Sequence, residues 1–156
     1  MKKLCVCVLF GGISPEHEVS LRSAESVLNH LDHDKYNIFP VGITKEGDWV
    51  LFGGSDYSML PSGTWQNYEG NRRAALSPVH GQGLLSFEND CVVRERIDVV
   101  FPVLHGENGE DGAMHAFFGI GRYDCVAADG MDVAGFDGKA SLERAKKQAG
   151  ALAGTY

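Results

Sequence analysis

Two short stretches of this chain bring glycine, acid and histidine together. The first is Gly11-Gly12-Ile13-Ser14-Pro15-Glu16-His17-Glu18; the second is His105-Gly106-Glu107-Asn108-Gly109-Glu110-Asp111-Gly112. A carboxylate in the first turn of a helix is favoured as the anion by the helix dipole, which suits Glu16 to hold a cationic ammonium group. A histidine at a strand tip, such as His105, can donate to an anion or exchange a proton near neutral pH. An ammonium site facing a carboxylate site describes an amino-acid pocket. The plainer readings are an ordinary helix-start acid and an ordinary strand-end histidine. Glu110 and Asp111 are read as acids opening a helix in preference to a metal pair, and no metal ligand is assigned.

The elements around these stretches explain how they would meet. Leu4 to Phe10 is a continuous Val- and Leu-rich run, the pattern of a strand buried on both faces. Ser14-Pro15-Glu16 then reads as N-cap, first helical residue and acid. The helix that follows has Leu21, Ala24, Val27, Leu28 and Leu31 on one apolar stripe. Tyr36 to Ile43 is the next strand, Lys45 to Asp48 a turn and Trp49 to Phe52 a short strand. From Gly53 to about Gln82 no period is sustained, and only short elements are expected. Leu84 to Phe87 and Cys91 to Val93 would pair as a hairpin across Glu88-Asn89-Asp90. Ile97 to Leu104 is the second strongly apolar strand, followed by a helix from Asp111 to about Phe118. Cys125 to Ala128 suggests a further strand, and Ser141 to about Leu152 a final helix. In an open parallel sheet ligands bind beyond the carboxyl ends of the strands, so the loops after Phe10 and Leu104 should line one crevice.

The other histidines and the tryptophans carry no assigned chemistry. His17 is expected to face solvent or the helix start. His30 and His33 are read as partners of the helix C-terminus. No partner is assigned to His80 or His115. Trp49 and Trp65 are read as packing or loop anchors.

Composition narrows the classes. The 156 residues carry a formal charge of −7, with 20 glycines and 4 cysteines. A pI near 5.3 argues against binding a phosphate backbone, and the basic pairs Lys2-Lys3, Arg72-Arg73 and Lys146-Lys147 are short and scattered. The apolar runs fall short of a membrane span. The N-terminal run meets Gly11-Gly12 and a helix start, the pattern of a buried strand and not of a secretory leader. Cys5, Cys7, Cys91 and Cys125 show no Cys-x-x-Cys spacing and are expected to be free thiols in a cytoplasmic protein. Length fits one domain, or one domain with a tail.

The two stretches, taken with their neighbours, resemble a known family. Gly11 to Leu21, followed by Ser23-Ala24, is similar to the first signature of D-alanine–D-alanine ligases. Phe101-Pro102-Val103-Leu104-His105-Gly106, with Gly109 to Gly112, resembles their second. Gly42 to Trp49 is similar to the longer branch, which includes the vancomycin-resistance D-Ala–D-Lac and D-Ala–D-Ser ligases. The resemblance implies an α/β fold, a three-layer Rossmann-like (pre-ATP-grasp) domain with a mostly parallel sheet. It also implies ATP-dependent joining of two D-alanines for peptidoglycan: ATP phosphorylates the first D-alanine and the second attacks the acyl phosphate. By the same resemblance Glu16 is the catalytic and substrate-binding acid holding the first D-alanine's ammonium. Val19 packs against that substrate, and His105 and Gly106 fix it. ATP and Mg2+ are implied as cofactors, held mainly by ATP-grasp domains not found in this sequence, and a homodimer is implied as the assembly.

The motif-by-motif resemblance fades after Phe118. His115-Ala116 stands where relatives have Gln-Gly, Arg122 to Ala127 replaces a Gly-Ile-Pro strand, and Lys139 is a weak counterpart of an ATP-approaching lysine. Residues 1–118 are therefore expected to be the ligase N-terminal substrate-binding domain and 119–156 a diverged tail, one that could complete the sheet and end in a helix. A truncated or frame-disrupted origin would account for such a tail, and the chain alone is expected to be inactive. The choice of second substrate lies largely outside the matched segments. A non-catalytic amino-acid-binding or interaction module is the alternative. A nucleotide-binding Rossmann protein is disfavoured because Gly-x-Gly-x-x-Gly is lacking.

Overall fold

The structure is a computed structural model that describes residues 2–105, 114, 117, 118 and 121–125. In chain order the elements are β1 (Leu4–Gly11), α1 (His17–His30), β2 (Tyr36–Ile43), β3 (Trp49–Leu51), β4 (Arg72–Leu76), β5 (Leu84–Glu88), β6 (Cys91–Glu95), β7 (Val99–Leu104) and β8 (Asp124–Cys125). They form one sheet in the order β6-β5-β4-β3-β2-β1-β7-β8.

The continuous apolar character of β1 has the expected consequence. Val6, Val8 and Phe10 point to one face and join Leu21, Ala24, Val27 and Leu28 of α1. Cys7 and Leu9 point to the other and join Val41, Val100, Leu104 and Phe118. Met114, Phe117, Phe118 and Gly121 have helical backbone, and the three larger side chains pack on this second face. The sheet is thus covered on both sides, the three-layer α/β arrangement expected from the sequence.

The parallel ladders lie at the centre, where β1 pairs with β2 and β7, and β7 with β8. Beyond β2 the four ladders are antiparallel, a larger antiparallel part than "mostly parallel" describes. Tight connections account for the β2–β3 and β5–β6 ladders, since a short turn can only reverse the strand. Thr44 N–H donates to Asp48 O at 2.8 Å between β2 and β3. Asn89 and Asp90, both at positive φ (46° and 64°), close the β5–β6 hairpin.

Two expectations are corrected. The helix starts at His17 with Glu16 as N-cap, not at Pro15. Ser14 closes a separate turn just before it: its Oγ accepts from Glu16 N–H at 3.1 Å and its carbonyl from His17 N–H at 3.1 Å. The segment after Gly53 contains more than short pieces, because Arg72–Leu76 is a full strand between β3 and β5. Its two arginines hide the strand pattern, and Arg72 is held across the sheet by Glu88 at 3.4 Å.

The rest of that segment, including two short 3-10 turns (Tyr57–Met59 and Thr64–Asn67), folds back over the α1 face of the sheet. Trp65 is fully buried there, edge-on to Phe10 with ring centroids 5.2 Å apart, and so acts as the anchor expected of it. Its indole fits because Gly42 has no side chain: a Cβ there would lie 2.4 Å from the ring.

Candidate functional site

The carboxyl ends of the three central strands are level. Gly11 is in register with Ile43 on β2 and with Leu104 on β7. The chain therefore leaves β1, β2 and β7 at one edge of the sheet, the place where a crevice is expected from the sequence.

The first loop turns sharply. Gly11 and Gly12 have φ of 86° and 101°, in the region open mainly to glycine. A Cβ on Gly11 would sit 2.2 Å from the carbonyl oxygen of Ile43, so the strand can leave the sheet there only as glycine. Gly12 N–H then donates to Ile43 O at 2.8 Å.

Helix α1 is fixed to the strand ends by polar side chains. Ser20 Oγ accepts from Gly11 N–H at 2.8 Å and donates to the carbonyl of Val103, bridging β1 and β7. Ser23 Oγ lies 3.3 Å from His105 Nε2. His17 is 2% exposed, and its Nδ1 lies 2.7 Å from Gly12 O. Of the two placements expected for His17, solvent or the helix start, the structure shows the helix start, where the ring is buried against the Gly12 carbonyl. His30 and His33 do meet helix-end carbonyls, those of Ser26 at 2.7 Å and Leu28 at 3.0 Å.

Positions 16, 19, 20 and 23 share a helix flank, by their spacing of three and four. Ser20 and Ser23 reach β7, so this flank overlooks the end of that strand. Glu16 and Val19 lie nearer the helix start and stay exposed, Val19 at 48%. The structure thus brings Glu16, Val19 and His105 to one rim. Gly106 lies outside the described residues, as do the Gly109–Gly112 segment, Lys139 and the expected final helix. Most of the expected Asp111–Phe118 helix lies outside them too.

The two acids of the first loop differ. Glu18 is paired with Lys45 at 2.5 Å, and the hydrogen bond from that lysine holds its carboxyl below the usual range. Glu16 makes no capping hydrogen bond and no ion pair among the described residues. Of the pair, Glu16 is the carboxylate open to an incoming cation.

The sequence reading missed His17, Ser20 and Ser23 as structural parts of the site. The signal for the two serines was present: serines bordering the Leu21–Ala24 stripe of a helix laid on a sheet must find partners on that sheet. Among the described residues no group of three or more His, Cys, Asp or Glu side chains is placed to hold a metal. A groove of about 750 Å³ lies elsewhere, over Trp49, Arg73, Phe87, Val92 and Phe117, and none of Glu16, Val19 or His105 lines it.

Known proteins are similar to this chain in sequence and fold. The family model described as D-ala D-ala ligase N-terminus matches residues 5–128. A D-alanine–D-alanine ligase of Thermoanaerobacter sp. (strain X514) is 43% identical over 150 residues, which cover 96% of this chain and 41% of the relative. Both matches run past Phe118, so the likeness is not confined to the part that carries the motifs. Among solved structures, the VanG D-Ala:D-Ser ligase from Enterococcus faecalis superposes with a TM-score of 0.73 at 33% identity, covering 80% of this chain and 36% of that one. The D-alanine-D-alanine ligase from Coxiella burnetii gives 0.66 at 30% identity, over 81% of this chain and 35% of that one. The chain spans about two fifths of the length of such relatives.

Proposed function

The chain belongs to the D-alanine–D-alanine ligase family, matching its N-terminal region, and from that premise we propose that the rim at Glu16 and His105 binds the first D-alanine of the ligation. Glu16 receives the ammonium group, and a charge-assisted hydrogen bond there is about twice as strong as a neutral one. Val19 lies against the apolar side of the substrate. His105, with Gly106, holds the substrate so that its carboxyl group stays clear of Glu16. The single observation that carries this reading is the contrast between neighbouring acids: Glu18 is engaged by Lys45, while Glu16 is exposed at the helix start on the flank that reaches His105.

The family is ATP-dependent, and ATP supplies the activation of the first carboxyl group. The described residues do not fit a nucleotide or Mg2+ site. Lys45, a cation at this rim, is taken by Glu18, and among the described residues no acidic or histidine cluster is placed to hold a divalent ion. Residues 1–118 act as the substrate-binding unit. The 156-residue polypeptide by itself forms no dipeptide, a statement that D-alanine-dependent ADP release from this polypeptide would refute. The parent activity belongs to peptidoglycan synthesis in the cytoplasm, in a homodimer. Among the described residues no helix is long and apolar enough to cross a membrane.

Calorimetric titration with D-alanine tests the proposal. Binding that weakens by about tenfold or more in Glu16→Gln supports it, given about 1.5–3 kcal/mol for hydrogen bonds to charged groups. Binding of equal strength in the variant would contradict it.

A further inference from the structure

The imidazole of His17 is buried and has no part in binding the substrate as proposed. His17 is 2% exposed, next in sequence to Glu16, and its Nδ1 lies 2.7 Å from the carbonyl oxygen of Gly12. A carbonyl oxygen can only accept, so Nδ1 carries a proton whatever the charge of the ring. The ring also fills the inside of the turn: its Cε1 would be 3.2 Å from a Cβ on Gly11. The same few residues hold two further bonds, His17 N–H to Ser14 O at 3.1 Å and Glu16 N–H to Ser14 Oγ at 3.1 Å. The Gly11-Gly12 turn and the start of α1 are thus joined through one imidazole. Glu16 stands between them.

We propose that His17 is the positioning residue of this site: by donating from Nδ1 to Gly12 O it fixes the turn that delivers the Glu16 carboxylate to the rim. The role in ligand binding rests on the D-alanine reading above, while the role in ordering the turn does not. Without the bond the part-buried Gly12 carbonyl would lose its imidazole partner, and the turn would keep the Gly11 and Gly12 N–H bonds but not the side-chain link from that carbonyl to the start of α1. The side chain of Glu16 would then sample many positions, and binding would carry the cost of ordering it.

The test compares His17→Asn with His17→Gln in the 156-residue chain. The Asn amide nitrogen occupies the place of Nδ1, while that of Gln lies one bond farther out. In the unsubstituted protein, long-range nitrogen–proton spectra of the ring should show Nδ1 protonated; a bare Nδ1 would overturn the proposal. Amide exchange at Glu16 and His17 should stay within about twofold of the unsubstituted protein in His17→Asn and rise about tenfold in His17→Gln, the change expected for one hydrogen bond. Titration with D-alanine should follow the same order. Equal exchange in the two variants would overturn the proposal. If the unsubstituted chain shows no response to D-alanine, the substrate reading fails, and the exchange comparison still decides the role of His17.

Discussion

The Nε2 of His105 lies 3.3 Å from the hydroxyl of Ser23, a contact that joins the tip of β7 to the flank of α1 carrying Glu16 and Val19. Residues of the two signatures, 82 positions apart, are held as one rim by this contact and by Ser20, whose hydroxyl bridges Gly11 N–H and the Val103 carbonyl.

Ser23→Ala removes the contact without touching the core stripe. It should cost about 0.5–1.5 kcal/mol of stability, the net worth of an ordinary hydrogen bond. In a D-alanine titration followed by NMR the response of His105 should shrink while that of Glu16 persists. Urea unfolding and the titration together check both parts; an unchanged His105 response would show that Ser23 does not orient it.

Gly42→Ala places a methyl group 2.4 Å from the Trp65 ring and 2.7 Å from Phe10. Overpacking of this kind costs about 1–3 kcal/mol. Trp65 must move, so its fluorescence should change along with the unfolding midpoint. A variant with unaltered emission and stability would mean that Trp65 is not seated on Gly42.

Burial pushes the thiols of Cys7 and Cys125 up to about 12, whereas Cys91 is exposed at the β5–β6 hairpin. At pH 8 roughly one Cys7 thiol in ten thousand would be the reactive thiolate. Iodoacetamide should therefore modify Cys91 first and leave Cys7 until the protein unfolds. Both folded thiols titrate above their unfolded values, so the stability they share is present through neutral pH and declines as pH rises from the ordinary thiol range toward 12. Labelling of Cys7 at the rate of Cys91 in the folded protein would contradict this.

Much of this architecture was legible in the amino-acid order, and the gaps have physical causes. The strands β1 and β7 were legible because burial on both faces demands unbroken apolar runs, and the hairpin at Asn89-Asp90 because that turn needs residues tolerant of positive φ. Strand β4 was not, since Arg72 and Arg73 sit beside small alanines and Arg72 is held by a cross-strand partner, Glu88, that no local pattern displays. Glu16, Val19 and His105 were found through two motifs. His17 was left open between solvent and the helix start because its burial follows from the fold of the Gly11-Gly12 turn, and nothing in a histidine's neighbours along the chain encodes a carbonyl folded over it.

The most direct test of the D-alanine site is a chemical-shift titration of the nitrogen-labelled chain with D-alanine, repeated on Glu16→Gln. The expected result is a saturable response at Glu16, Val19 and His105 that Glu16→Gln weakens by about tenfold or more, in line with the loss of a charge-assisted bond. A response centred elsewhere, such as the groove over Trp49 and Phe87, or one that Glu16→Gln leaves intact, would contradict the assignment of this rim as the D-alanine site.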